Sequence, residues 1–167
     1  MRKHLPLALF LVLALPGAVE AADYIAVLSG AEEVPPRETN ARGTAVFDVA
    51  DDNLSIDYKL VVANIDNVTA SHIHLGAAGV NGSVVVFLYG NIPPGSGPIS
   101  GKVAEGTITA ADLIGPLAGQ PLSALLDAIA AGNTYVNVHT NDGIDPVNTG
   151  AGDFPGGEVR GQIRAAD

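Results

Sequence analysis

His72 and His74 stand two residues apart in Ser71-His72-Ile73-His74, and His139 falls near the end of Tyr135-Val136-Asn137-Val138-His139-Thr140. The chain's fourth histidine, His4, lies in an N-terminal stretch that reads as a leader. Side chains two apart on a strand share a face, so His72 and His74 project together while Ile73 points toward a core. By the same rule Val136 and Val138 face one way, and Tyr135, Asn137 and His139 the other. A fold that pairs or apposes these strands closes a three-imidazole site. Neutral imidazoles are ligands for copper, zinc or iron. Three nitrogen donors with an open position suit copper moving between its two oxidation states, and zinc held by three histidines and a water is the main competitor. The plain alternative is that they are ordinary strand histidines with satisfied hydrogen bonds.

Supporting groups follow from the same alternation. In Glu158-Val159-Arg160-Gly161-Gln162-Ile163-Arg164, Val159 and Ile163 take the core side, which sets Glu158, Arg160, Gln162 and Arg164 on the other. Arg160 is the candidate for guiding an anion such as superoxide, and Glu158 or Asn137 for hydrogen-bonding a ligand imidazole. The alternative for Glu158 and Arg160 is a surface ion pair, which adds little stability.

The elements that must carry these residues are strands. Tyr24 to Leu28 opens the pattern, and the prolines of Gly30 to Pro36 forbid a central strand there. Gly43 to Val49 and Leu54 to Val62 alternate with period two around Asp51-Asp52-Asn53, a hairpin signature. Thr69 to His74 follows, then a turn from Gly76 to Gly82 in which Asn81-Gly82 tolerates positive φ, then the apolar run Val84 to Tyr89. Ile92 to Gly101 reads as a proline-glycine loop, with another strand from Lys102 to Thr109. One helical excursion lies between Thr109 and Ala131: Thr109 caps a short turn, Pro121 to Ala131 carries leucines at helical spacing, and Gly132 stops it. Tyr135 to His139 and Gly157 to Arg164 close the pattern as strands around the Gly-rich stretch Asn141 to Gly156. Many short strands between turns imply an all-β antiparallel sandwich or barrel.

Composition bounds the function. Arg2, Lys3 and His4, the apolar run Leu5 to Leu15 and the small residues before Ala21 imply a signal peptide over residues 1–21, too short in its apolar part to span a bilayer. Residues 22–167 are then one domain, exported to a periplasm or secreted. Of 8 basic and 18 acidic residues the leader removes Arg2, Lys3 and Glu20, so the net charge moves from −10 to −11. That argues against nucleic-acid binding and in favour of attracting cations. The chain has no cysteine, so thiolate metal cages, redox dithiols and disulfides are all excluded. Asp142, Asp145 and Asp153 lack the spacing of a calcium loop and read as a solvated loop. Asn67-Val68-Thr69 matches a glycosylation acceptor that is otherwise an ordinary turn. No serine elbow or phosphate-cradling loop is present.

Four separated segments, Ala26 to Pro36, Ala70 to Gly82, Tyr135 to Thr140 and Pro155 to Ile163, together resemble the chordin-type (CHRD) domain from about Tyr24 to Arg164. The resemblance implies an immunoglobulin-like or related β-sandwich with a role that is mostly unassigned. All three histidines of residues 22–167 fall in two of these segments. A weaker likeness is to the copper-zinc superoxide dismutase sandwich, with its His-x-His strand, later histidine, long loop and closing arginine. His72, His74, His139, Asn141 to Gly156 and Arg160 match that pattern, while the bridging histidine and the disulfide are missing. The likeness implies a copper-only site. The leading expectation is an exported, monomeric or weakly associating copper-binding β-sandwich, catalysing superoxide disproportionation if it is an enzyme. Its rivals are a copper carrier or buffer without turnover, and an adhesive module in which the histidines are incidental.

Overall fold

The computed structural model describes residues 22–90 and 92–166, so the expected leader lies outside the described residues. Alternation drives the first half of the fold. β1 (Tyr24–Ser29), β2 (Arg42–Val49) and β3 (Ile56–Asp66) pair antiparallel in sequence order. Ala26, Leu28, Ala45, Phe47, Ile56 and Leu60 point inward and are fully or almost fully buried. The hairpin between β2 and β3 turns at Asn53, whose φ of 57° an asparagine tolerates better than most side chains. β3 runs four residues beyond the expected Val62, and Asn67 alone, at φ 56°, turns the chain into β4 (Val68–Leu75). The Asn67 carboxamide is engaged on both sides. Its Oδ1 accepts from Gly97 N at 2.9 Å and its Nδ2 donates to Gly152 O at 3.2 Å.

β5 (Ser83–Tyr89), β6 (Pro98–Ile108), β7 (Thr134–Thr140), β8 (Val159–Gln162) and β9 (Arg164–Ala165) complete the sheet, in the order β5-β4-β7-β8-β1-β2-β3-β6, with β9 paired to β1. β6 begins at Pro98, inside the stretch expected to be loop. It pairs with β3 alone, so a missing N–H costs nothing at this edge position. The sheet divides into two four-stranded halves. They join on one side where Ser29 of β1 pairs with Arg160 of β8. On the other side β5 and β6 approach, and the Tyr58 hydroxyl donates to Leu88 O at 2.7 Å. The result is a nearly closed, flattened antiparallel barrel, the sandwich-like all-β fold that the strand pattern predicts.

The helical excursion is where the sequence places it. Thr109 and Asp112 form a reciprocal capping box on a 3₁₀ turn (Ala110–Asp112). A second such turn (Gly115–Leu117) precedes α1 (Leu122–Ala130), which turns Leu122, Leu125 and Ile129 into the core. Gly132, at φ 69°, ends the helix in the left-handed region and donates to Ile129 O.

Candidate metal centre

Pairing of β4 with β7 brings the two histidine segments together. Ile73 and Val136 are both inward and fully buried, so His72 and His74 share the opposite face with Tyr135, Asn137 and His139. His72 lies directly across from Asn137, His74 from Tyr135, and His139 from Ala70, with an irregularity in register between Val68 and Ala70. His139 therefore meets His72 on the diagonal, within reach of long or aromatic side chains. One ligand atom from each of His72, His74 and His139 lies within 4.8 Å of the others. The ring centroids of His72 stand 4.8 Å from His139 and 5.6 Å from His74.

Hydrogen bonds assign the tautomers. His139 Nδ1 lies 2.8 Å from Pro155 O and His74 Nδ1 lies 2.9 Å from Gly82 O, so both rings donate from Nδ1 and keep a lone pair on Nε2. Backbone carbonyls thus play the orienting role expected of Glu158 or Asn137. His72 Nδ1 stands 3.0 Å from His139 Nε2 and must supply the proton between them. Two nitrogens on one tetrahedral zinc, each about 2.0–2.1 Å from it, are about 3.3 Å apart. A proton therefore occupies a gap close to the width that a shared cation needs. The Nε2 atoms of His72 and His74 are buried without a partner, and buried lone pairs of this kind call for an ion or water.

Burial also sets the charge state. Desolvation is the first cause pulling all three imidazoles below their ordinary value. His72, beside His139 and His74, falls to about 4. His74 is lowered against the opposing effect of its bond to Gly82 O and of the nearby Asn137 carboxamide, and His139 against that of Pro155. Near neutral pH all three are uncharged, the form that binds metal. Phe87, 55 % exposed, stands edge-on to His72 with centroids 4.6 Å apart and forms the apolar margin of the cluster.

The other expected residues are differently placed. Arg160 does lie on the histidine face, opposite Asn137, but it is only 1 % exposed. Its guanidinium sits 3.4 Å above the Tyr135 ring, which in turn stacks on His74 with planes 9° apart. Nη2 donates to Ala77 O and Val80 O at 3.0 Å, and Nη1 to Asn81 Oδ1 at 3.2 Å. With its donors turned into that loop, Arg160 holds the turn that carries Gly82 and does not face solvent as a guide for anions. Glu158 is fully buried and accepts from Thr39, Thr140 and Gly152. It is neither a surface ion pair nor a support for an imidazole. Arg164 is exposed on β9, because the strand breaks at Ile163 and Ile163 N turns to Thr134 O.

The turn from Gly76 to Gly82 takes its positive φ at Gly79, not at Asn81 or Gly82. Asn81 instead ties the turn to the preceding connection by donating to Val34 O at 2.8 Å. That connection carries a residue the spacing argument missed: Glu33, 5 % exposed and packed against Gly157. Its one sequence signal is its position in the Gly30 to Pro36 segment, which does not distinguish it from Glu32.

Among the described residues no helix is long and apolar enough to cross a membrane. The family model for the CHRD domain matches residues 24–145, a span that holds all three histidines and ends before β8. The weaker likeness to superoxide dismutase is not supported. No curated protein matches the chain.

Proposed function

Since this chain belongs to the CHRD domain family, whose domains are typically extracellular, we propose that it is an exported module that holds one transition-metal ion on His72, His74 and His139. The observation that carries this reading is the convergence of three neutral imidazoles within 4.8 Å, two of them oriented by backbone carbonyls. The donor set fits the ion: all nitrogen, with Nε2 of His72 and His74 buried and unpartnered and Nε2 of His139 bonded only to the neighbouring His72 ring. Copper is the favoured occupant and zinc the alternative; copper would supply a one-electron couple, and zinc a Lewis acid.

The chain's own residues hold rather than turn over. Pro155 O and Gly82 O fix the rings of His139 and His74. Arg160 clamps the loop from Ala77 to Asn81, and Phe87 shields His72. A steering cation for superoxide is not offered by Arg160 in this arrangement, which favours retention or delivery of the ion over disproportionation.

Calorimetric titration of metal-free protein with copper and with zinc tests the reading. It should give one ion per chain, with weaker binding in each of His72→Ala, His74→Ala and His139→Ala. Equal affinity in the triple variant and the wild type would refute it and leave the adhesive-module reading. Copper-loaded protein should consume superoxide no faster than metal-free protein, and a clear rate would restore the dismutase reading.

A further inference from the structure

Glu33 reaches the histidine face from the connection between β1 and β2. The residue is only 5 % exposed, and Oε1 is buried with no hydrogen-bond partner. It packs onto Gly157, at φ 125°, so closely that a Cβ at that glycine would collide with Oε1 while lying 3.0 Å from Asn137 Nδ2. Gly157 therefore stands between carboxyl and carboxamide, at a φ that favours glycine. Asn137 Oδ1 is also buried without a partner, as are Nε2 of His72 and Nε2 of His74. Asn137 lies directly across β4 from His72 and is close enough to His74 to favour its charged form. Four unpartnered polar atoms thus lie on Glu33, Asn137, His72 and His74, with Gly157 between the first two.

The charges that face Glu33 are Arg160 from β8 and Arg37 from its own connection, with His74 beyond Asn137 on β4. Burial outweighs both guanidiniums and raises the carboxyl from 4.5 to about 7. The three imidazoles bring no charge of their own, so a divalent ion would add two positive charges to a buried site that already holds Arg160. Buried charge is tolerated when it is paired. Of the other buried acids, Glu158 accepts from three donors, and Asp153 accepts from Thr149 through Oδ2 in its own loop, away from the histidine face, with Oδ1 unpartnered.

We propose that Glu33 is the counter-charge of the histidine centre, so that a divalent cation on the three imidazoles is matched by ionisation of this carboxyl and its uptake releases a proton. The inference rests on the metal-binding reading above. Glu33 acts here through Asn137 and Arg160 as a positioning residue. The coupling makes the site take up its ion more tightly as pH rises through neutrality and release it on mild acidification.

The test is zinc titration of the full metal-free chain by calorimetry, in two buffers of different protonation enthalpy, between pH 6 and 8. Wild type should release protons on binding, and its affinity should rise with pH. Glu33→Gln should weaken zinc binding about 10- to 100-fold, as loss of a supporting partner does, and should lose both the proton release and the pH slope. Unchanged affinity and proton count in Glu33→Gln would overturn the counter-charge while leaving the histidine site standing. Wild-type affinity that His72→Ala does not alter would overturn the histidine site and this inference with it. Should Glu33→Gln fail to fold, infrared difference spectra of the wild type decide: a protonated-carboxyl band must give way to carboxylate on zinc addition, and its persistence overturns the proposal.

Discussion

Replacing Glu158 by glutamine removes one charge and one acceptor oxygen while keeping the side chain's shape. In the wild type Oε1 accepts from Thr39 Oγ1 at 2.6 Å, and Oε2 accepts from Thr140 Oγ1 at 2.7 Å and Gly152 N at 2.8 Å. Three donors thus converge on a fully buried carboxylate. A glutamine amide placed at Oε2 would face the Gly152 N–H donor to donor, so it must take the Oε1 position, where the Thr39 hydroxyl can turn and accept. Each bond then falls from the charge-assisted range, about 2 kcal/mol, to the neutral one, about 1 kcal/mol, a net loss of about 3 kcal/mol over three bonds. For a domain of this size 1 kcal/mol shifts Tm by about 3 °C, so Glu158→Gln should melt about 10 °C lower. Thr140 and Gly152 flank the loop whose Pro155 carbonyl holds His139, so metal affinity should fall as well. Differential scanning calorimetry of metal-free protein checks the first effect and zinc titration the second. A Tm within about 2 °C of wild type would refute the argument that these three bonds anchor the loop.

Two further expectations concern titration and packing. Because the folded state holds His72 near 4 against 6.5, the unfolded chain binds a proton that the folded one declines, so this contribution is complete above about pH 6.5 and lost as pH falls to 4. Glu33 opposes it: raised to about 7, it binds a proton in the folded state that the unfolded chain gives up between pH 4.5 and 7, so stability falls as pH rises through that window. Urea unfolding in chelator should therefore show Glu33→Gln more stable than wild type at pH 7.5 and similar to it at pH 4.5, and parallel pH profiles for the two proteins would contradict this. Gly161→Ala should destabilise by about 3 kcal/mol in the same assay, since its Cβ would collide with the Val27 carbonyl oxygen and lie 2.6 Å from the carbonyl carbon, where β1 backbone must move; an unchanged midpoint would show that β1 and β8 part at little cost.

Local physics made much of this legible in the chain. Alternation needs only neighbouring residues, so the shared face of His72 and His74, the opposite burial of Ile73, and the split of Tyr135, Asn137 and His139 from Val136 and Val138 all follow before any fold is known. The cap at Thr109 and the stop at Gly132 are legible for the same reason, since each satisfies backbone groups within a few residues. What the strands meet is set by contacts distant in sequence. The register of β4 on β7 puts His139 diagonal to His72. A loop folded over the outer face turned Arg160 from an expected surface charge into a buried clamp 80 residues in sequence from Val80. Closure of β1 onto β8 brought Glu33 against Gly157. No periodicity encodes those encounters, because burial of a polar side chain depends on which distant backbone covers it and satisfies it. Sequence therefore determined which residues could face one another, and tertiary structure decided which of them lost their water.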